Sequence, residues 1–292
     1  MGGTTWCTAR EISYLRHWRR TLLVAGTIVS LTAFTAMFCL VATPSELPIE
    51  SAQSDYGPIP DFAEIDHIPA RKAAFFDFLK PMINDQNDWI LDNRAFLQSL
   101  REDLLAERRS SSAEQERVEA LATRYGVKLE EGFTVDIVDE LLHRGDVIPP
   151  SLVLAQAAKE SGWGMSRFAR EGNNYFGEWC FTEGCGMVPK RRRPGQNHEV
   201  AAFETVEAGV DSYFRNLNRG RPYAQVRALR AESRERGEPL SSVRLAGGLQ
   251  KYSEQGQVYV DEVRSLISYT KLTEFDNGLS ALIAAVDSRD DR

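Results

Sequence analysis

Apolar residues along this chain form one unbroken run and then a series of helix-period stripes. The run is Thr21 to Ala42, 22 residues without a charge. As a helix it would span about 33 Å at ~1.5 Å per residue, enough for a hydrocarbon core of roughly 30 Å. Arg16, Arg19 and Arg20 stand directly before it. That asymmetry predicts a cytoplasmic tail at 1–20, a transmembrane anchor at 21–42, and everything after it on the far side. The run is longer than the apolar part of a cleaved signal peptide. Leu40 also fills the small-residue position that cleavage after Ala42 would need.

Residues 43–69 carry Pro44, Pro48, Pro58, Pro60 and Pro69, with serines and acidic residues between them, and read as an extended linker. From 70 to 132 a helical accessory region is expected. Phe75, Phe78, Leu79, Met82 and Ile83 form its first stripe, and Pro81 is expected to kink or split that helix. A turn at Ser110–Ser112 precedes a helix from Glu114 to Tyr125, closed by Gly126. Further helices are predicted at Val135–His143, Ser151–Glu160 after Pro149-Pro150, Val206–Asn218, Pro222–Arg230 and Gln257–Thr270. Residues 173–188 read as loop with short extended pieces, Glu199–Phe203 as a strand, and 275–292 as a tail. The class is mainly α with a small β-hairpin.

Hydrophobic residues at 42% and charged ones at 26% fit a folded globule. A net charge of −7 argues against a nucleic-acid partner. Against it, Lys190–Arg193 is a local basic run, read either as a solvated loop or as a contact for acidic groups. The four histidines are scattered, so no metal ligand set emerges; no glycine-rich phosphate loop exists, and no cofactor is expected. Ser161 lacks the strand-turn-helix elbow of a nucleophile. Cys180 and Cys185, five positions apart with Gly184 between, are expected to form a disulfide in an oxidising compartment; two free thiols are the alternative.

The chemistry concentrates at 154–179. An apolar helix ends on one carboxylate, Glu160, followed by Ser161-Gly162-Trp163-Gly164 and then Asn173-Asn174-Tyr175-Phe176-Gly177. A helix C-terminus disfavours a second negative charge, and shielding by Trp163 or Phe176 would act the same way. Both effects keep an acid protonated, the state that can donate to a leaving sugar oxygen. Taken by itself, Glu160 reads as an exposed helix-end glutamate or an arginine's structural partner; its neighbours change that reading.

Ala157–Gly164 and Asn173–Gly177 together resemble the glucosaminidase domain of glycoside hydrolase family 73, bacterial peptidoglycan hydrolases with a lysozyme-like helical fold. Ile148–Ser151, Trp179-Cys180-Phe181 through Gly184-Cys185-Gly186, and Lys251-Tyr252-Ser253 with Gly256 and Tyr259 echo its Bax-like branch. The resemblance covers 133–274. It implies cleavage of the β-1,4 bond after N-acetylglucosamine in peptidoglycan glycan strands, with Glu160 as general acid. Glu199, 39 positions on, is the expected second carboxylate, with Glu183 and Glu204 as rivals. Tyr252 is expected beside the acid, and Trp163, Asn173, Asn174, Tyr175, Phe176 and Tyr259 at the substrate. With the anchor, it implies an inner-membrane protein whose domain lies in the periplasm. Lytic transglycosylase cleavage and a non-catalytic glycan-binding or scaffolding role are the alternatives.

Overall fold

The longest helix begins where the proline-rich segment ends. The computed structural model of the protein describes residues 56–129, 133–190, 192–193 and 195–287. In it α1 runs unbroken from Ile68 to Leu105, through Pro81. Proline inside a helix costs about 3 kcal/mol. Leu79, Met82 and Ile83 around it are at most 2% exposed. Burying each such side chain contributes about 1.5–3 kcal/mol, so their packing outweighs the proline and the expected split does not occur.

Nor is 70–132 an accessory region apart from the domain that follows. Phe75, Phe76, Phe78 and Leu79 of α1 share one core with Leu152, Val153 and Tyr175. Leu97 and Leu100, near the other end of α1, join a smaller core with α2 (Ser112–Tyr125) and α3 (Val135–Arg144). Ser111 and Glu114 cap α2 reciprocally, and Gly126 closes it in the left-handed conformation.

At the centre lies α4, Pro150–Ser161. Each of its residues from Pro150 to Ala158 is buried, so it has no solvent face until its last turn. Its own N-cap, Pro149, has no side-chain donor or acceptor. Asp276 supplies the cap from a 3-10 turn at Leu272–Asp276, accepting from Ser151 N (2.9 Å) and Ser151 Oγ (2.6 Å). Asn87 of α1 clamps the entry by exchanging two 3.0 Å bonds with the Ile148 backbone.

After the short α5 (Arg167–Gly172) come β1 (Trp179–Cys180), β2 (Gly186–Met187) and β3 (Glu199–Ala201). They form a three-stranded antiparallel sheet with β3 in the middle, in place of the expected hairpin. Helices α6 (Val206–Arg219), α7 (Ala224–Glu235), α8 (Ser242–Leu245) and α9 (Gln257–Tyr269) complete the core. The expected tail contains α10, Asn277–Asp287, which packs on α1 with Leu279 in the main core. Among the described residues no helix is long and apolar enough to cross a membrane. The 21–42 segment lies outside the described residues.

Candidate active site

Glu160 occupies the last turn of α4 and is half-buried. Gly162, Trp163 and Gly164 then take φ of 57°, 64° and 78°, three consecutive left-handed residues that turn the chain away sharply. Glycine is needed at 164, because an added Cβ would lie 2.3 Å from the Phe62 ring. Ser161 pegs this corner: its Oγ donates to Ala157 O (2.6 Å) and accepts from Gly164 N (2.8 Å). It is bound to structure on both sides and is not poised as a nucleophile.

Burial pushes the Glu160 carboxyl above its ordinary value; a hydrogen bond from Tyr259 and the charge of Lys159 partly oppose this. Lys159 itself pairs with Glu262 at 2.5 Å. Behind the acid stands a hydrogen-bonded row. Tyr213 Oη donates to Gln156 Oε1 (2.7 Å), and Gln156 Nε2 donates to Tyr259 Oη (2.9 Å). The backbone of Gly177 comes close on another side: a Cβ there would sit 3.4 Å from Glu160 Oε2, and its φ of 65° suits glycine.

The residues expected at the substrate divide into distinct roles. Tyr259 is 1% exposed and its hydroxyl serves Glu160. Tyr252 stacks on Tyr259 at 5.4 Å, but its hydroxyl donates to Phe176 O at 2.8 Å. The tyrosine on the acid is therefore Tyr259, and Tyr252 fastens the turn beside it. Asn174 is 1% exposed and fully occupied. Its Nδ2 donates to Glu178 O (3.0 Å) and Ala201 O (2.8 Å), and its Oδ1 accepts from Phe176 N (3.2 Å) and Glu178 N (3.1 Å). Asn173 ends α5 at φ 52° and donates to Phe203 O (3.0 Å) and Glu204 O (3.1 Å). Both asparagines shape the loop: Asn174 has no amide hydrogen bonding left over for a sugar, and Asn173 commits both of its amide hydrogens to the backbone. Tyr175 and Phe176 are 1% exposed core residues, Phe176 stacked on Tyr213 at 4.1 Å. Trp163 packs edge-on against Phe75 (5.7 Å) and Phe76 (5.5 Å), with Lys72 Nζ over its ring at 4.6 Å.

Glu199 is 6% exposed and accepts from two backbone amides, Gly184 N (3.2 Å) and Gly186 N (2.8 Å). The Cys180–Cys185 disulfide is formed, and both sulfurs lie within 4.8 Å of a Glu199 oxygen. A carboxylate held this way braces the disulfide loop. It does not face open water as a base would. In the basic run, Arg192 donates to His198 O (3.3 Å) and Arg193 pairs with the exposed Glu254 (3.5 Å), while Arg191 lies outside the described residues.

Sequence reasoning missed three residues. Gln156 is four positions before Glu160, one helical turn back on the same face, and is the lone amide in an apolar stretch; that spacing was the available signal. Tyr213 carried no local signal. Neither did Glu178, directly after Gly177. Glu178 accepts from Ser212 Oγ (3.0 Å) through Oε2, while its buried Oε1 has no hydrogen-bond partner. Burial pushes its carboxyl up to about 7. A folded-state value above the ordinary 4.5 means the native protein holds this proton where the unfolded chain has lost it. Stability is thus expected to fall as pH rises from 4.5 to about 7. Glu178→Gln should remove that part of the slope. Thermal midpoints of parent and variant at pH 5 and pH 8 check this; equal slopes would refute it.

Residues 135–272 match the glucosaminidase family, described as mannosyl-glycoprotein endo-beta-N-acetylglucosaminidase. The chain is 32% identical over 219 residues to Protein bax of Escherichia coli (strain K12), covering 75% of this chain and 76% of that protein. No solved structure matches. With that coverage at that identity, and a family match spanning Glu160 and its tyrosines, the chain belongs to the glucosaminidase family of glycan hydrolases, in the branch of Protein bax.

Proposed function

We propose that the protein hydrolyses peptidoglycan at the β-1,4 bond after N-acetylglucosamine, with Glu160 as general acid. The observation that carries this is the state of Glu160: a half-buried carboxyl, raised by desolvation and held by one tyrosine hydroxyl. A glycosidase needs an acid that keeps its proton near neutral pH until the bridging oxygen accepts it. The test is digestion of purified cell-wall sacculi by the full-length chain, with mass analysis of the products. Reducing N-acetylglucosamine ends are expected. Intact sacculi, or products that persist in Glu160→Gln, would overturn the reading.

A second reading has an observation in its favour. Glu199 is engaged by two amides, which suits cleavage by a single acid without a water-activating carboxylate, as in a lytic transglycosylase. Anhydromuramic ends in the same digest would identify that chemistry.

The glycan's apolar ring faces need an exposed aromatic surface. Trp179 offers one, two residues beyond Gly177. One face of its indole stacks on His198 at 4.0 Å, and the residue is 53% exposed. Trp179→Ala is expected to raise KM for soluble glycan several-fold while leaving kcat within about twofold, since a stacking contact away from the reacting bond binds ground and transition states alike. A fall in kcat with KM unchanged would remove Trp179 from the binding surface.

We place the domain outside the cytoplasm, on the periplasmic side of the inner membrane, with 21–42 as the anchor. The 180–185 disulfide supports an oxidising compartment, and the uncharged 21–42 run supports the anchor. Alkaline extraction of membranes should leave the chain with the membrane fraction.

A further inference from the structure

The row behind Glu160 has a direction. Tyr213 and Gln156 are fully buried and Tyr259 nearly so. The Tyr213 hydroxyl gives its hydrogen to Gln156 Oε1, which turns the amide so that Nε2 faces Tyr259. A phenol has one hydrogen to give. Having accepted from Nε2, Tyr259 gives its hydrogen to Glu160, which is the bond felt at that carboxyl. Reversing the amide would point Nε2 at Tyr213 and leave that buried hydroxyl hydrogen without its acceptor at Gln156, which is costly in a dry interior. Tyr259 would then spend its hydrogen on Gln156 and have none for Glu160.

The direction matters for proton transfer. If Tyr259 were free to accept, a protonated Glu160 would donate inward to it and store its hydrogen away from the open side. A Tyr259 that only donates can approach only the unprotonated oxygen of the acid. The geometry points to Gln156 as a positioning residue: oriented by Tyr213, it holds Tyr259 as a one-way donor to Glu160 and so leaves the transferable proton on the carboxyl oxygen that faces the substrate. This rests on Glu160 being the general acid. The row joins α6, α4 and α9, so three of the helices that share the core also set the proton's place.

Gln156→Met keeps the length of the side chain and removes the amide; Tyr213→Phe removes only the far hydroxyl and serves if the first variant folds poorly. The Tyr259 bond holds the Glu160 carboxyl down against the effect of burial, so weakening it should move that carboxyl further up. Two readouts are used on the full-length chain. The first is the pH profile of sacculus digestion. The kcat of Gln156→Met should fall about tenfold, the size of one hydrogen bond to a charged group, with KM within twofold and the basic limb moved to higher pH. The second needs no activity: the carbon-13 carboxyl titration of Glu160, assigned by its loss in Glu160→Gln. It should move up in both variants, less in Tyr213→Phe. If both variants fold and neither the limb nor the titration moves, the positioning role is overturned. If the titration moves while wild-type digestion proves independent of Glu160, the row stands and the proposed activity falls.

Discussion

Glu160→Gln is expected to leave a folded protein that releases muropeptides at least about 10³-fold more slowly than the parent, within the range that general acid catalysis contributes. The side chains are nearly isosteric, and Tyr259 can still donate to the amide oxygen, so the core around α4 should be undisturbed. What is lost is the proton. Without it the leaving sugar must depart as an alkoxide, and no neighbouring donor replaces it: the tyrosine hydroxyls at 213, 252 and 259 are all pushed well above their ordinary range by burial and hold their hydrogens. The pH dependence follows from the direction of the Glu160 shift. Donation requires the protonated form, so activity declines as pH rises through a folded-state value above the ordinary 4.5. The variant's residual rate should lack that limb. Sacculus digestion across pH, with thermal melting as the folding control, measures both. A rate within tenfold of the parent, from a variant with the parent's melting temperature, would end the assignment of Glu160 as the acid.

Much of this arrangement can be read from the chain, and the rest cannot, for identifiable reasons. The α4 helix is legible at both ends, because Pro149-Pro150 opens it and Gly162 closes it, and these are local signals. The disulfide is legible from spacing once the compartment is inferred. Roles within the Asn173–Phe176 turn are less so. Amide and aromatic side chains suit sugars and turns equally. Only the tertiary partners, Ala201 and Glu178 for Asn174 and Phe203 and Glu204 for Asn173, show where their hydrogen bonds go. Tyr252 and Tyr259 are seven positions apart, and no local pattern tells which hydroxyl meets the acid. The continuity of α1 through Pro81 and the docking of α10 are tertiary effects, in which burial overrides a breaker and rescues a segment that resembles a tail. Glu178 follows the same rule. Its perturbation is a property of its burial in the fold, not of its neighbours in sequence.

Asp146→Ala is expected to destabilise the fold by about 3–5 kcal/mol, the cost of stripping one partner from a buried ionic cluster. Asp146 is 3% exposed and precedes the Val147-Ile148-Pro149 entry to α4. Its Oδ1 meets Arg94 Nε at 3.3 Å and Arg234 Nη2 at 2.7 Å, and its own carbonyl accepts from Arg230 Nη1 at 2.8 Å. Burial alone would push this carboxyl up; the guanidiniums of Arg94, Arg234 and Arg230 overcome that and hold it far below the usual carboxylate range. Arg230 is fully buried as well, and burial pulls it down to about 10 while Asp146 supports its charge. Taking Asp146 away leaves α1 and α7 joined through arginines that repel each other in a dry interior. For a chain of this size the loss corresponds to a fall in melting temperature of roughly 10 °C. A depressed folded-state carboxyl contributes stability that is fully present above its ordinary 3.8 and is lost only as pH falls through the lower native value. The gap between parent and variant should therefore be constant from pH 5 to pH 8 and narrow only below about pH 4. Below its own melting point the variant should still digest sacculi, because nothing in this cluster touches Glu160. Equal melting temperatures at pH 7, or a gap that closes between pH 5 and pH 8, would show that the three arginines are neutralised by something other than Asp146.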